Sequence, residues 1–220
     1  MWGSGPSDVY VYDGPPMHST GNNQWTPITI YTIDAIMNVW GSSATDVYAV
    51  GDLTRLFHKG PSGTWTSTTP GWTSALWMSG SSATDLYVIT ATQLYHSTGN
   101  GTWKMQTVPL RSGEQMLRTW ALSATAVYVT TYGSVLRSGG DGTWLAQIVE
   151  PNDPTLAVNQ IWGTSPKNLY VATEKGDLFA LDAHAVQQTR RASSTRNGRR
   201  FRNRPDLICR AWSKQPRRAN

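Results

Sequence analysis

One phrase, written five times, constrains this chain more than anything else in it. Trp2 opens WGSGPSDVYVYDG, Trp40 opens WGSSATDVYAVG and Ser79 opens SGSSATDLYVIT; Trp120 opens WALSATAVYVTT and Trp162 opens WGTSPKNLYVAT. The tyrosines Tyr10, Tyr48, Tyr87, Tyr128 and Tyr170 are separated by 38, 39, 41 and 42 residues. Eight residues before each stands Trp2, Trp40, Ser79, Trp120 or Trp162, the third copy having its tryptophan at Trp77 instead. A second tryptophan follows each of the first four tyrosines: Trp25, Trp65, Trp103 and Trp144. Nine of the 11 tryptophans are thereby in phase, leaving Trp72 and Trp212, so the indole richness is mostly architectural. A fixed period of this length is the mark of a repeat fold.

The third copy shows what one unit contains. SALWM is a short apolar run that ends at the turn SGSSATD, where the short carboxylate of Asp85 suits an Asx-type turn that accepts backbone N–H groups. LYVI is rich in aromatic and β-branched residues and reads as a strand. QLYHS is a second strand, STGNGTW a hairpin turn in which Gly101 can take positive φ, and TWKMQTV a final strand. No stretch carries a convincing 3.6-residue period. VYAV, LYVI, VYVT and LYVA do not alternate between apolar and polar, so these strands should be covered on both faces.

Four short strands every 40-odd residues, with both faces of the middle strands covered, predict an all-β β-propeller. The expected blades cover about 1–32, 33–71, 72–111, 112–153 and a partial 154–184, four to five in all. The W-G-S-x-x-x-D-V-Y-A-V-G phrase, followed by L-x-H and G-T-W, resembles a bacterial family of β-propeller repeats. The S-T-G-N-G-T-W and S-G-G-D-G-T-W turns are loosely similar to the Asp-box of sialidase-type (BNR-type) propellers, with one residue missing. The resemblance covers Trp2 to about Ala183 and implies a secreted or envelope-attached protein, mostly of a kind without assigned activity.

Both edges of the pattern are irregular. No apolar run precedes Trp2 to supply an inner strand for blade one, and no charged start with an apolar stretch marks a signal peptide. The fifth copy runs through DLFAL and then fails, with Val186 where a tryptophan was due. Residues 185–220 hold ten arginines, one lysine and one acid, a net +10; the whole chain is +5, which leaves −5 for residues 1–184. The basic character is therefore confined to a tail whose low hydrophobicity and high charge predict disorder. Three readings of it compete: a product of a shifted reading frame, a solvated tail, or an arm that grips nucleic-acid phosphates. An incomplete ring also leaves sheet edges able to pair with a second copy.

Few residues suggest chemistry. His18, His58 and His96 share one phase, with Arg137 and Ala180 taking that place in copies four and five. On the outer strands of successive blades these should lie too far apart to share a metal, which needs its nitrogens at roughly 2 Å. A polar role at a strand end is expected, with a repeated ligand contact as the alternative. Asp8, Asp46 and Asp85 share another phase, with Ala126 and Asn168 in the later copies, and are expected to cap turns. The acids and arginines of the body form no recognisable sialidase set, and no phosphate-binding loop or H-E-x-x-H occurs. Cys209, the one cysteine, lies in the tail. No run approaches the length of a membrane span.

No cofactor or metal is implied. The leading expectation is a non-enzymatic binding or scaffold module, with a multivalent lectin or a sialidase-like hydrolase or its remnant as alternatives. Trp72, out of phase beside Pro70-Gly71, is the candidate ligand-contacting tryptophan.

Overall fold

The computed structural model describes residues 1–12, 14–28, 30, 35–149 and 155–181. The tail expected over 185–220, the due tryptophan position at 186 and Cys209 lie outside these.

Every described element is a strand. Blade one contains β1 (Trp2–Gly5), β2 (Asp8–Val11), β3 (Met17–Ser19) and β4 (Thr26–Pro27). Blade two contains β5 (Ile36–Ser43), β6 (Asp46–Gly51), β7 (Leu56–Lys59) and β8 (Trp65–Thr68). Blade three contains β9 (Trp77–Ser82), β10 (Asp85–Ile89), β11 (Leu94–Ser97) and β12 (Lys104–Gln106). Blade four contains β13 (Met116–Ser123), β14 (Ala126–Thr131), β15 (Ser134–Ser138) and β16 (Trp144–Ile148). The described part of blade five contains β17 (Val158–Ser165), β18 (Asn168–Thr173) and β19 (Leu178–Leu181). Each blade is an antiparallel meander in sequence order. The first strands pack on one another in series, β1 on β5, β5 on β9, β9 on β13 and β13 on β17, and so lie innermost. The result is a β-propeller of five blades. Blade one does have an inner strand: Trp2 pairs with Tyr10 and Gly3 with Val9, so W-G-S itself forms the strand thought to be missing.

The repeated phrase is a bulged hairpin. Ser43 pairs with Asp46 around Ala44–Thr45, and neither central residue takes positive φ. An irregularity between Gly41 and Ser43 takes up the twist that a two-residue turn of negative φ would otherwise spoil. The same shift recurs at Gly3/Gly5, Ala121/Ser123 and Gly163/Ser165. The Ser43 hydroxyl accepts the Thr45 N–H at 3.3 Å, as Ser82 does for Thr84 and Ser123 for Thr125. The G-T-W turns are ordinary hairpin chemistry: Asn100 and Asp141 accept both the N–H and the hydroxyl of Thr102 and Thr143. Gly101 and Gly142 take the positive φ there, 80° and 79°.

The core is four cores, one between each pair of blades. Val47, Ala49 and Phe57 of blade two pack with Tyr10 of blade one, while Tyr48, Val50 and Leu56 pack with Met78 and Leu86 of blade three. Consecutive residues of β6 thus face different neighbours, which explains the unbroken apolar run. All five residues of β10 and all six of β14 are buried.

The interfaces also explain W-G. A Cβ on Gly41 would lie 2.6 Å from the Trp2 indole and 2.7 Å from the Asp46 carbonyl; one on Gly80 would lie 2.7 Å from the Trp40 indole and from the Asp85 carbonyl. Trp2 and Trp40 thus each lie across the next blade's glycine. Where the third copy has Ser79 instead, the next blade has Ala121, and Ser79 accepts the Ala121 N–H at 3.2 Å. The phased tryptophans also pack on their own tyrosines, stacked at 6.3 Å for Trp40–Tyr48 and tilted at 5.8 Å for Trp2–Tyr10, 5.8 Å for Trp120–Tyr128 and 4.9 Å for Trp162–Tyr170.

Candidate functional site

The three phased histidines and three phased aspartates belong to one device repeated in blades one to three. Asp8 accepts from the Ser4 hydroxyl at 2.6 Å and from His18 Nε2 at 2.8 Å. Asp46 does the same with Ser42 (2.5 Å) and His58 (2.8 Å), and Asp85 with Ser81 (2.5 Å) and His96 (2.9 Å). Each imidazole packs face to face or tilted on the tyrosine paired with it across the sheet, with centroids 4.2–4.5 Å apart. The aspartates therefore hold serine and histidine side chains, which corrects the expectation that they cap turns through backbone bonds; the turns are closed by Ser43 and its equivalents. Tying the first strand to the third, the device locks the blade edge on edge.

Its electrostatics fit that role. Burial pushes the Asp8 carboxyl up, but the Ser4 and His18 hydrogen bonds and the nearby charges of His18 and Lys59 more than reverse this, leaving it below the ordinary carboxylate range. Burial, then the charge and hydrogen bond of Asp46, push the Tyr48 phenol up to about 12. Tyr10 and Tyr87 are raised for the same reasons.

Blade four has lost the device: Leu122, Ala126 and Arg137 stand where serine, aspartate and histidine stand elsewhere. The Tyr128 hydroxyl and Arg137 Nε are buried without a hydrogen-bond partner. Blade five keeps a neutral fragment, the Asn168 amide donating to the Thr164 hydroxyl at 2.8 Å.

Trp72 is not a ligand platform. It is 1% exposed, in the core between blades two and three, edge-on to Trp103 at 5.1 Å and tilted on Tyr95 at 5.5 Å. A large indole in a loop next to two blades gains more by burial than by exposure. Shallow clefts do open between blades, one lined by Tyr10, His18, Lys59 and Trp65, another by Tyr48, His58, Thr66 and Trp103. His18 and His58 reach these clefts while bound to aspartate. In the first, Lys59 lies 5.2 Å over the Tyr10 ring and donates to its hydroxyl.

A different constellation gathers where the innermost strands begin. The Asn38 amide donates to the Tyr12 hydroxyl at 3.1 Å, and its carbonyl accepts the Met78 N–H at 3.1 Å. The adjacent Trp77 carries the Arg118 guanidinium 4.2 Å over its ring. Blades one, two, three and four each contribute. Asn38, Trp77, Arg118 and Gln160 occupy one repeat position, two before the phrase-opening residue, and irregularities at Ile36/Asn38, Met116/Arg118 and Val158/Gln160 aim it in three of the blades. Arg118 donates to the Leu117 carbonyl at 2.7 Å, its Nε has no partner, and no carboxylate among the described residues pairs with it. Burial pulls this guanidinium below its ordinary value, with Tyr12 opposing. Burial also raises the Tyr12 phenol, against the Asn38 bond and the Arg118 charge.

At the same end of the blades, Arg111 and Glu114 close the loop between blades three and four. Arg111 donates to Glu114 (2.9 Å), to the Tyr132 carbonyl (2.7 Å) and to the Ser134 hydroxyl (2.9 Å), while Glu114 accepts from Thr131 at 2.5 Å. Burial pushes Glu114 up, and its bonds to Arg111 and Thr131 bring it below the ordinary value. These residues border a depression of about 470 Å³ with Tyr132 and Thr155.

The sequence reading missed both groups. The signal for the first lay in the repeat: one position that varies from Asn to Trp to Arg to Gln while its surroundings persist.

No family model matches the chain, and no curated protein matches it. Solved structures do. The structure of YCF48 bound to D1 peptide superposes with a TM-score of 0.62 at 18% identity, over 79% of this chain and 61% of that one. A catalytically inactive virginiamycin B lyase from Staphylococcus aureus with quinupristin gives 0.63 at 10%, over 80% and 66%. U3-55K gives 0.67 at 9%, over 83% and 60%. The chain thus spans less than two thirds of the length of each. At these identities the likeness is one of fold, and it agrees with the β-propeller seen here.

Proposed function

We propose that the protein is a non-enzymatic binding or scaffold module of the cell envelope or exterior, receiving an acidic protein segment at the end where Tyr12, Asn38, Trp77 and Arg118 meet. Arg118 carries this reading. A mostly buried guanidinium costs free energy unless it is paired, and here its charge meets an aromatic face and one carbonyl. A carboxylate supplied by a ligand fills that deficit with the strongest type of hydrogen bond available to arginine. Inter-blade convergence on the innermost strands is a geometry that propellers offer to ligands. That the YCF48 structure holds a peptide lends support to a peptide-like ligand.

The deployment of the carboxylates favours binding over hydrolysis. Asp8, Asp46 and Asp85 are engaged by serine and histidine, and Glu114 by Arg111 and Thr131. The lectin alternative loses its main support with Trp72 in the core. The exterior location rests on the repeat resemblance alone.

A fluorescein-labelled Glu-rich hexapeptide, followed by polarisation, tests the proposal on the full chain. Arg118→Leu should weaken binding at least tenfold. Arg137→Leu should leave binding unchanged, and a Lys-rich control peptide should not bind the wild type. Equal affinity of wild type and Arg118→Leu would overturn the reading and would locate any acidic-peptide binding elsewhere, the arginine-rich segment included.

A further inference from the structure

Blade five ends in a face built like the faces that other blades bury. Across its strands Trp162 pairs with Tyr170 and Tyr170 with Ala180, the row that in blade two is Trp40, Tyr48 and His58 and is covered by blade three. Trp162 is nevertheless 48% exposed, and Ala180 and Leu178 are exposed beside it. The run LYVA is apolar throughout, as a strand covered on both faces requires, yet β18 is buried only at every second residue, where Leu169 and Val171 face blade four. Blade one shows the reverse deficit. Tyr10 is buried against blade two, whereas Val9 and Val11 on its other face are only half-buried. Gly3 has the backbone contacts of Gly41 and Gly80, its added Cβ 2.7 Å from the Asp8 carbonyl, but no indole lies on it.

The two deficits are complementary. Inside the chain a tryptophan lies on the glycine of the following blade at Trp2–Gly41 and Trp40–Gly80, and where the tryptophan is lost the glycine is lost too, at Ser79–Ala121. At the fourth step Trp120 and Gly163 are both kept, although the atoms nearest a Cβ on Gly163 are those of Asn168 and Leu169. Among the described residues Trp162 has no following glycine and Gly3 no preceding tryptophan. We propose that blade five of one copy stacks on blade one of a second copy, with the Trp162 indole seated over Gly3, continuing the interface already made inside each chain. The contact is face to face and head to tail. It differs from hydrogen-bonded pairing of sheet edges, and as a heterologous contact it adds copies in a ring or a row instead of stopping at a two-fold dimer unless the rotation closes.

Sedimentation velocity on the full chain, from 1 to about 100 µM, tests this at a salt concentration high enough to screen charge. The wild type should show mass that rises with concentration. Trp162→Ala should shift association to at least tenfold higher concentration. Ala180→Glu, at a position exposed among the described residues, should do the same without perturbing the fold, as near-ultraviolet circular dichroism would verify. Met105→Ala, at an exposed apolar residue of blade three and so off both terminal faces (61% exposed), should behave as wild type. Because Trp162→Ala still presents Gly3, mixing it into wild type should shorten the assemblies by capping them. A monomer at every concentration, or association untouched by both Trp162→Ala and Ala180→Glu, overturns the proposal.

Discussion

Replacing Asp85 by alanine should unfold the protein more readily than any other change to a single blade-locking device. Asp85 is 7% exposed and accepts two hydrogen bonds, from Ser81 at 2.5 Å and His96 at 2.9 Å. A hydrogen bond to a charged group contributes about 1.5–3 kcal/mol, and the groups stranded by its loss cost more if water cannot reach them. The His96 side chain keeps 22% exposure, so water recovers part of that loss. A net cost of about 3 kcal/mol follows. For a domain of this size each kcal/mol lowers Tm by about 2–4 °C, so the variant should melt about 6–12 °C below wild type. Urea titration gives the free energy directly, and an unchanged slope with denaturant would show that the folded and unfolded states keep their compactness. A cycle with His96→Ala should return a coupling of at least about 1 kcal/mol between the two side chains. A cost under about 0.5 kcal/mol, the scale of an ordinary surface substitution, or strict additivity in the cycle, would refute the argument that the network locks the blade. Blade four does not contradict it. There the serine, aspartate and histidine are all replaced, so no acid or imidazole is left stranded; only the Tyr128 hydroxyl and Arg137 Nε are.

That orphaned hydroxyl gives a second expectation: Ala126→Asp with Arg137→His should raise stability by about 1 kcal/mol, read by urea unfolding, because the phenol and the new imidazole gain a common acceptor. Gly80→Ala should cost about 1–3 kcal/mol by the same measurement, since a Cβ 2.7 Å from the Asp85 carbonyl forces the backbone or the Trp40 indole to move. The carboxyls of Asp8 and Glu114 are held below their ordinary values, so their stabilisation is complete above the unfolded-chain value near pH 4 and is lost as pH falls through the lower, folded values. Thermal melts at pH 6 and pH 3 should show a fall in Tm that is smaller in the Asp8→Asn, Glu114→Gln double variant.

The tryptophan–glycine contacts show why the one exception at these positions is a paired one. A glycine that receives an indole has no room for a side chain, and an indole facing a Cβ has nowhere to lie. The third and fourth copies depart together, Ser79 with Ala121, and a hydrogen bond at 3.2 Å replaces the aromatic contact. A surface that ends in an uncovered member of such a pair is already shaped for its complement, which is the physical basis for the head-to-tail contact inferred between copies.

The sequence by itself determined the all-β architecture, the repeat of about 40 residues, the second and third strands of each copy and the G-T-W hairpin turns; it took the Gly/Ser stretch as turn, whereas β9 runs on through Ser82. Period and unbroken apolar runs such as DLYVI report directly on strands covered from both sides, because side chains alternate across a sheet whatever the tertiary context. It also marked Asp46 and His58 as phased, but not as partners: they stand twelve residues apart, and only strand register brings their side chains within 2.8 Å. The tertiary structure alone decided that Trp72 is core, that W-G-S supplies the inner strand of blade one, and that Tyr12, Asn38, Trp77 and Arg118 meet. Those outcomes depend on which blade lies beside which and on where bulges re-aim a side chain, and a one-dimensional pattern carries the spacing of residues along a strand but not the packing of one sheet upon the next.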